Sequence, residues 1–320
     1  MFNFEKHEIV QIAKENGFRS ETLEKVLRLI DVLEFINTSE VLNRWLVLKG
    51  GTAINLTVFN LPRLSVDIDL DFSFKGSKED MLSKRKEITA VLRRYMEINN
   101  YTFNDHTKSK HALDSFVFNY INSFGNKDNL KIEINYMNRV HIYEPVNSRL
   151  SVPFFDNFQI KTLNKYELYG SKIKALLERC TIRDVYDVYH MIKENIFTQD
   201  EYKLIKKCLT FYLAIGNTTQ RTYEEILKDF HSKIKNYATN RIPQYLSATL
   251  KSEDKFNMAE AIKDVENFIN SSMYLSDYEL QFLCEFNNKN YNPTILFSEK
   301  EIINRIVDHP MALWKISNQD

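Results

Sequence analysis

KGGTAINLTVFNLPRLSVDIDLDF, residues 49 to 72, sets a Gly-Gly-Thr turn one helix length ahead of aspartates at alternating positions, Asp67, Asp69 and Asp71. Residues two apart on a strand point the same way about 6.6 Å apart, so Asp67 and Asp69 can reach the same metal ions. Two Mg²⁺ (or Mn²⁺) ions roughly 3.5–4 Å apart would clamp the triphosphate of an NTP and the attacking hydroxyl. This is the layout of a metal-dependent nucleotidyl-transfer site. Asp71, about 13 Å from Asp67 along a strand, is too distant to share that metal pair and reads as a supporting or surface residue.

The spacers Val66, Ile68, Leu70 and Phe72 are apolar, whereas Ser65, Asp67, Asp69, Asp71 and Ser73 form a wholly polar row. On alternation alone, an edge strand with a solvated acidic face fits equally well. The preceding segment favours a site. Trp45 to Leu48 reads as a buried strand, Gly50-Gly51 permits a tight turn with close backbone approach, and Thr52 to Phe59 is expected to open a helix. Backbone N–H groups at such a helix start suit the phosphates of a nucleotide.

Gly50, Gly51, Thr52 and Ala53, then Arg63, Ser65, Asp67, Asp69, Leu70, Asp71 and Phe72, resemble the first motif of the AbiEii/AbiGii-type toxin nucleotidyltransferases. A second stretch, Ser171 to Arg179 followed by Arg183-Asp184-Val185-Tyr186-Asp187-Val188-Tyr189, is similar to a later pattern of the same family. The resemblance implies an α+β fold: a polymerase-beta-like nucleotidyltransferase core with a mixed sheet, followed by a helical C-terminal domain. It also implies a toxin of a type IV toxin–antitoxin or phage-defence (abortive infection) pair, with a winged-helix antitoxin encoded alongside. Some such toxins modify the tRNA 3′ end and stop translation.

A third carboxylate of such a site is expected from a neighbouring strand, and Glu133, in Lys131-Ile132-Glu133-Ile134-Asn135, fits as a metal ligand or general base. A surface glutamate on a half-exposed strand fits that segment alone equally well. Lys172 is expected to neutralise charge on the α- and β-phosphates. Arg179 and Arg183 would fall within about 20° of Lys172 if one helix ran through all three, but Thr181 and Asp184 look like a new helix start. Arg183, Asp184 and Asp187 then fit either an ion-pair network or, by the family match, a catalytic role for the two aspartates. Gly50, Gly51, Thr52, Arg63, Ser65 and Lys172 are the candidate nucleotide-binding residues. For Ser65 a plain polar-face serine, and for Arg63 pairing with the acidic row, are the alternatives. No HExxH spacing or Ser-His-Asp arrangement stands out among the histidines.

Composition fits an ordinary enzyme. The 320 residues are 43% hydrophobic and 13% aromatic, enough to bury a sizeable core in two domains. No apolar run reaches the roughly 18 residues that span a bilayer, and the N-terminus lacks a signal-peptide block, so a cytoplasmic protein is expected. Cys180, Cys208 and Cys284 have no metal-ligand spacing and read as reduced thiols. With 43 basic and 43 acidic side chains, any RNA site has to be local. The candidates are the helix 77–95, with Lys78, Lys84, Arg85, Lys86, Arg93 and Arg94, and a later run from Lys203 to Arg241; a solvated helix face accounts for either.

Helices are expected over 5–38, with Ser20 capping the second, and strands near 45–49, 65–74, 113–122 and 129–137. From Lys165 onward the pattern is helical throughout, giving a nucleotidyltransferase domain over 1–164 and a helical domain over 165–320. The closing His309 to Lys315 reads as a turn plus a core tryptophan. The expected activity is transfer of NMP from an NTP to an acceptor hydroxyl, the tRNA 3′ end. Two rivals stay open: a small-molecule nucleotidyltransferase of the aminoglycoside-modifying kind, and a nucleotide-binding regulator without turnover.

Overall fold

The computed structural model describes residues 2–59, 61–110, 112–150, 152, 154–155, 158–216, 220–237 and 241–318. They divide into two compact units, one of Met1–Arg139, Pro145–Leu163 and Ser247–Asp254, the other of Val140–Glu144, Asn164–Leu246 and Lys255–Asp320. The fold is α+β. In the first unit the order is α1 (Lys6–Asn16), α2 (Ser20–Thr38), α3 (Glu40–Trp45), β1 (Leu46–Lys49), α4 (Gly50–Ala53), a π-helical turn Ile54–Val58, β2 (Asp67–Phe72) and α5 (Lys78–Ile98). Then follow β3 (Thr102–Phe103), β4 (Lys108–Lys110), β5 (Leu113–Ile121), β6 (Lys127–Asn135), β7 (Val146–Arg149) and β8 (Gln159–Thr162).

These strands form one mixed sheet in the order β3-β5-β6-β2-β1-β8-β7, with β4 also pairing β5. The acidic strand β2 therefore lies in the middle, antiparallel to β1 and parallel to β6, which excludes the edge-strand account of its alternation. Period-two alternation gives the sheet two unlike faces. Ile68, Leu70, Ile132, Ile134, Phe116 and Phe118 are all buried on one of them. Helices α2 and α5 supply apolar partners, among them Leu23, Leu27, Ile30, Ile88, Leu92 and Met96. Phe35 and Tyr95 stack at 3.7 Å between the two helices, and the Tyr95 hydroxyl donates to Asp31 at 2.8 Å.

The helix ends follow local chemistry. Ser77 caps α5 by accepting from the Asp80 N–H at 3.0 Å. Ser20, expected to cap α2, is instead its first helical residue, with Arg19 at the cap position. Arg85 fixes α5 to the sheet: its Nε and Nη2 donate to Asp114 of β5 at 3.0 and 2.6 Å, and its guanidinium lies over the Tyr136 ring. Lys86, Thr89 and Arg93 line a cleft of about 720 Å³ opposite Ser109, Asp114 and Phe116. Because Asp114 and Phe116 alternate with Ser115, which pairs with Glu133, this cleft is on the side of the sheet away from Glu133.

The second unit is helical: α6 (Lys165–Arg179), α7 (Ile182–Lys193), α8 (Gln199–Ile215), α9 (Tyr223–Lys235), a short α10 (Gln244–Ser247) at its margin, α11 (Met258–Ser271), α12 (Asp277–Asn287), α13 (Lys300–Ile306) and α14 (Pro310–Ser317). Helices α6 and α8 approach so closely at Gly170 that an added Cβ would meet the Cys208 Cβ at 2.6 Å. In the basic run from Lys203 to Arg241, among the described residues, four of the eight cations are in ion pairs: Lys203 pairs with Asp200, Lys206 with Glu279, and Arg221 and Lys233 with Asp229. Trp314 is not a core residue. It is 50% exposed, because α14 turns Ala312 inward and Leu313 and Trp314 outward, while His309 is buried and caps the helix. Cys180, Cys208 and Cys284 carry free thiols, and burial pushes the Cys180 thiol up to about 12.

Asp114→Ala deprives the nearly buried Arg85 of its two-bond acceptor and is expected to destabilise the protein by about 3 kcal/mol. Urea unfolding should show a lower midpoint at an unchanged slope; a loss below about 1 kcal/mol would mean that the pair does not anchor α5.

Candidate active site

The centre of the acidic face is set by register. Lys49 pairs with Asp69, and Asp69 pairs in turn with Glu133 on β6, while Asp67 pairs with Lys131. The carboxylates of Asp69 and Glu133 thus start from neighbouring Cα positions about 4.8 Å apart, with Asp67 two residues away on the same side. Asp67, Asp69 and Glu133 are all half-buried.

Gly50 makes this packing possible. Its φ is +71°, in the left-handed region, and a Cβ there would meet Asp69 Oδ2 at 2.5 Å. Only glycine meets both conditions without strain. The helix opens here, at Gly50 instead of Thr52, and after four residues widens into the π-helical turn. Thr52 is 1% exposed; its hydroxyl lies 2.9 Å from Ser65 Oγ and also bonds the Asp67 carbonyl. Thr52 and Ser65 therefore tie the Gly-Gly turn to the start of β2. Arg63 is likewise drawn inside, 3% exposed, with Nη1 donating to the Leu64 carbonyl at 3.1 Å and its backbone bridging Leu250. The Gly51 carbonyl accepts from Asn55 Nδ2 at 2.8 Å.

Two lysines that the sequence reading left without a role balance the acids. Lys131 Nζ lies 2.9 Å from Glu133 Oε1. Burial pulls the Lys131 ammonium down, but the bond to Glu133 and the charges of Glu133, Asp67 and Asp69 hold it above its ordinary range. Lys49 Nζ reaches Asp71 Oδ1 at 2.5 Å. Asp71 is 1% exposed, so it is a buried supporting residue and not a surface one; burial pushes its carboxyl up against the pull of Lys49. The signal was present in the sequence, as Lys49 abuts the Gly pair and Lys131 shares the alternation of Glu133.

Oxygen donors of this kind suit Mg²⁺, which takes one or two carboxylates together with substrate phosphates instead of a full protein cage. Among the described residues no three histidine, cysteine, aspartate or glutamate side chains are grouped so as to hold a metal ion. Asp67 and Asp69 fit such a partial shell, with Glu133 beside them on Lys131.

The remaining sequence candidates gather in the second unit. Lys172, 6% exposed, donates to Asp184 at 3.2 Å and pairs with Asp187 at 2.8 Å. Asp184 also accepts from Arg179 Nε and Nη2 at 2.8 and 2.9 Å and from the Thr181 hydroxyl at 2.6 Å. Burial would raise the Asp184 carboxyl; Lys172, Arg179 and Thr181 outweigh it and hold the group well below the usual carboxylate range. The single-helix alignment of Lys172, Arg179 and Arg183 does not form, because α6 ends at Cys180 with φ +49° and α7 begins anew after Thr181. Arg183 lies over the Tyr245 ring at 5.3 Å.

A family model described as the nucleotidyl transferase AbiEii toxin of type IV toxin–antitoxin systems matches residues 33–274. The chain belongs to the AbiEii family. It is thus a nucleotidyltransferase and a toxin of the type IV toxin–antitoxin class, which implies an antitoxin partner and an NTP substrate. Among solved structures, this AbiEii toxin is similar in fold to MenT4, a nucleotidyltransferase toxin of Mycobacterium tuberculosis H37Rv. The TM-score is 0.61 at 13% identity, over 96% of this chain and 99% of that one. The CdnE cyclic dinucleotide synthase of Elizabethkingia meningoseptica aligns at 13% identity over 85% of this chain and 100% of that one, with a TM-score of 0.25. The Cid1 poly(U) polymerase aligns at 11% identity over 98% and 95%, with a TM-score of 0.27. Scores this low do not bear on the fold. No curated protein matches the AbiEii toxin in sequence.

Gly50→Ala is expected to cost about 1–2 kcal/mol for its left-handed backbone and more for the collision with Asp69. In an Asp69→Ala background the collision with the carboxylate should vanish, leaving the backbone part and a 3.2 Å approach to the Cβ, and equal penalties in both backgrounds, measured by urea unfolding, would overturn the contact. Asp184→Asn is expected to lower stability by about 3 kcal/mol at neutral pH. The folded-state pKa of Asp184 lies below the ordinary 3.8, so its stabilisation is full above that value and drains away as pH falls below it. Wild type and variant should therefore converge in strongly acid solution, and a gap that widens there would refute the assignment.

Proposed function

We propose that this toxin moves a nucleoside monophosphate from an NTP to the terminal hydroxyl of an RNA, the tRNA 3′ end, releasing pyrophosphate and arresting translation and growth. The observation that carries the site is the register Lys49–Asp69–Glu133 with Gly50 packed against the Asp69 carboxylate. Asp67 and Asp69 hold Mg²⁺, and Mn²⁺ in its place, together with the NTP phosphates. A cation held by Asp67 and Asp69 would supply charge neutralisation at the triphosphate and make the attacking hydroxyl more acidic. Glu133, held by Lys131 beside Asp69, accepts the proton of that hydroxyl or completes the metal shell. The Gly50-Gly51 turn lets the backbone come close to the phosphates, and Thr52 and Ser65 keep that turn against β2.

Lys172, Asp184 and Asp187 enter the reading through their match to the second family pattern. Their ion pairs give them a positioning role, holding α6 and α7 in fixed relation within the second unit. The toxin works in the cytoplasm beside a winged-helix antitoxin and in phage defence, with 1–164 as nucleotidyltransferase domain and 165–320 as helical domain. Among the described residues no helix is long and apolar enough to cross a membrane.

The test is incubation with each labelled NTP and either total tRNA or a panel of small hydroxylated acceptors, with magnesium or manganese present. Label on tRNA, abolished in Asp67→Ala and in Asp69→Ala and on chelation, is the expected result, at a loss of at least about 10³-fold for either variant. Label confined to small molecules overturns the RNA acceptor. Expression should arrest growth, and Asp69→Ala should relieve the arrest.

A further inference from the structure

Residues paired across a sheet project to the same side, so the pairing of β1, β2, β6, β5 and β4 traces rows over one face. One row runs Lys49, Asp69, Glu133, Ser115, Lys108. The row on one side of it runs Asp71, Asn135, Leu113, Lys110, and that on the other Asp67, Lys131, Val117. The face that carries the carboxylates therefore continues outward without interruption to the lysines of β4, about 14 Å or three strand spacings from Asp69. Along it Ser115 and Asn119 are half-buried, and Asn129, Lys108, Lys110 and Lys127 are exposed.

Charge distinguishes this face from the cleft on the other side. In the cleft Arg85 is committed to Asp114. Among the described residues no ion pair involves Lys108, Lys110 or Lys127; by register all three belong to the carboxylate face, and Lys110, on the edge strand β4, also borders the cleft. Arg85, Lys86 and Arg93 of α5, which line that cleft, stand on the far side of the sheet from Asp69, so a strand bound to them would have to pass round the sheet edge to deliver its hydroxyl. With the whole chain at zero net charge, attraction for a polyanion has to come from such a local group.

We propose that the β4–β5–β6 face, and not the α5 helix, is the docking surface for the acceptor strand of RNA. Lys108 and Lys110 take backbone phosphates, and the strand follows the row over Ser115 so that its terminal hydroxyl lies beside Asp69 and Glu133. This rests on the RNA-acceptor reading given above and names the surface that serves it.

The experiment measures NMP transfer to tRNA for the wild type, Lys108→Ala/Lys110→Ala, Lys108→Arg/Lys110→Arg and the α5 pair Lys86→Ala/Arg93→Ala, with NTP affinity measured alongside. The β4 alanine pair is expected to raise KM for tRNA about tenfold and to flatten its log–log salt dependence by about 1.4, from roughly 0.7 per lost phosphate contact on a single strand. Its kcat at saturating tRNA and its NTP affinity should stay at wild-type values, the arginine pair should restore KM, and the α5 pair should leave KM unchanged. An unchanged KM in the β4 alanine pair, or a raised KM confined to the α5 pair, overturns the surface while the RNA reading stands. Failure of the wild type to label any RNA overturns both.

Discussion

A hydrogen atom stands where any other residue would put a carbon at Gly50, and the Asp69 carboxylate fills that space. The left-handed turn at Gly50 ends β1 as soon as Lys49 has paired with Asp69, so the chain leaves the sheet beside the acid it has just positioned. Everything downstream inherits this placement. Asp69 fixes the register of β2, β2 fixes β6, and Glu133 arrives alongside because it is the paired residue. Thr52 and Ser65 then close the loop from behind with a bond across thirteen positions of sequence. Short-range backbone geometry, and not a long list of side-chain contacts, aligns the carboxylates.

Like charges so close together repel, and the protein offsets this locally. Glu133 has Lys131 on its own strand, and Asp71 has Lys49 on the strand paired with it. The Asp71–Lys49 pair is the deeper of the two and holds the lysine that precedes the Gly turn. The Glu133–Lys131 pair is the more open one, with both side chains partly solvated. In the second unit the same principle is carried further, since Asp184 collects Lys172, Arg179 and Thr181 around a wholly buried carboxylate. Removing one partner from such a group is costly because the rest stay buried.

The acidic strand, its buried neighbour, the paired strands 113–121 and 127–135 and the long helix before them were all legible in the sequence, because each carries a clean period over enough residues. β3, β4, β7 and β8 were not. They are two to four residues long, too short for alternation to register, and they exist because longer strands offer them an edge to pair with. At the site the residue types were readable and their commitments were not. Thr52, Arg63 and Lys172 are the polar types that bind phosphate elsewhere, yet hydrogen bonds and ion pairs within the fold engage all three, and Arg63 is met by the distant segment 247–254, which no local pattern links to it. Trp314 failed for the converse reason, as a large apolar ring is usually inside, but the pitch of a short helix begun by Pro310 turns it out.

Interleaving of two faces along β5 and β6 has a consequence for how such a protein can diverge. Phe116, Phe118, Leu130 and Ile132 answer to the core, whereas Ser115, Asn119, Asn129 and Lys131 answer to the opposite side. Mutational drift at every second position is therefore nearly uncoupled from folding, while drift at the positions between is held by packing. A lineage built on this sheet can change what it recognises by altering odd-numbered residues other than Glu133 and its partner Lys131 on a single pair of strands, leaving the carboxylates and the core that supports them unaltered.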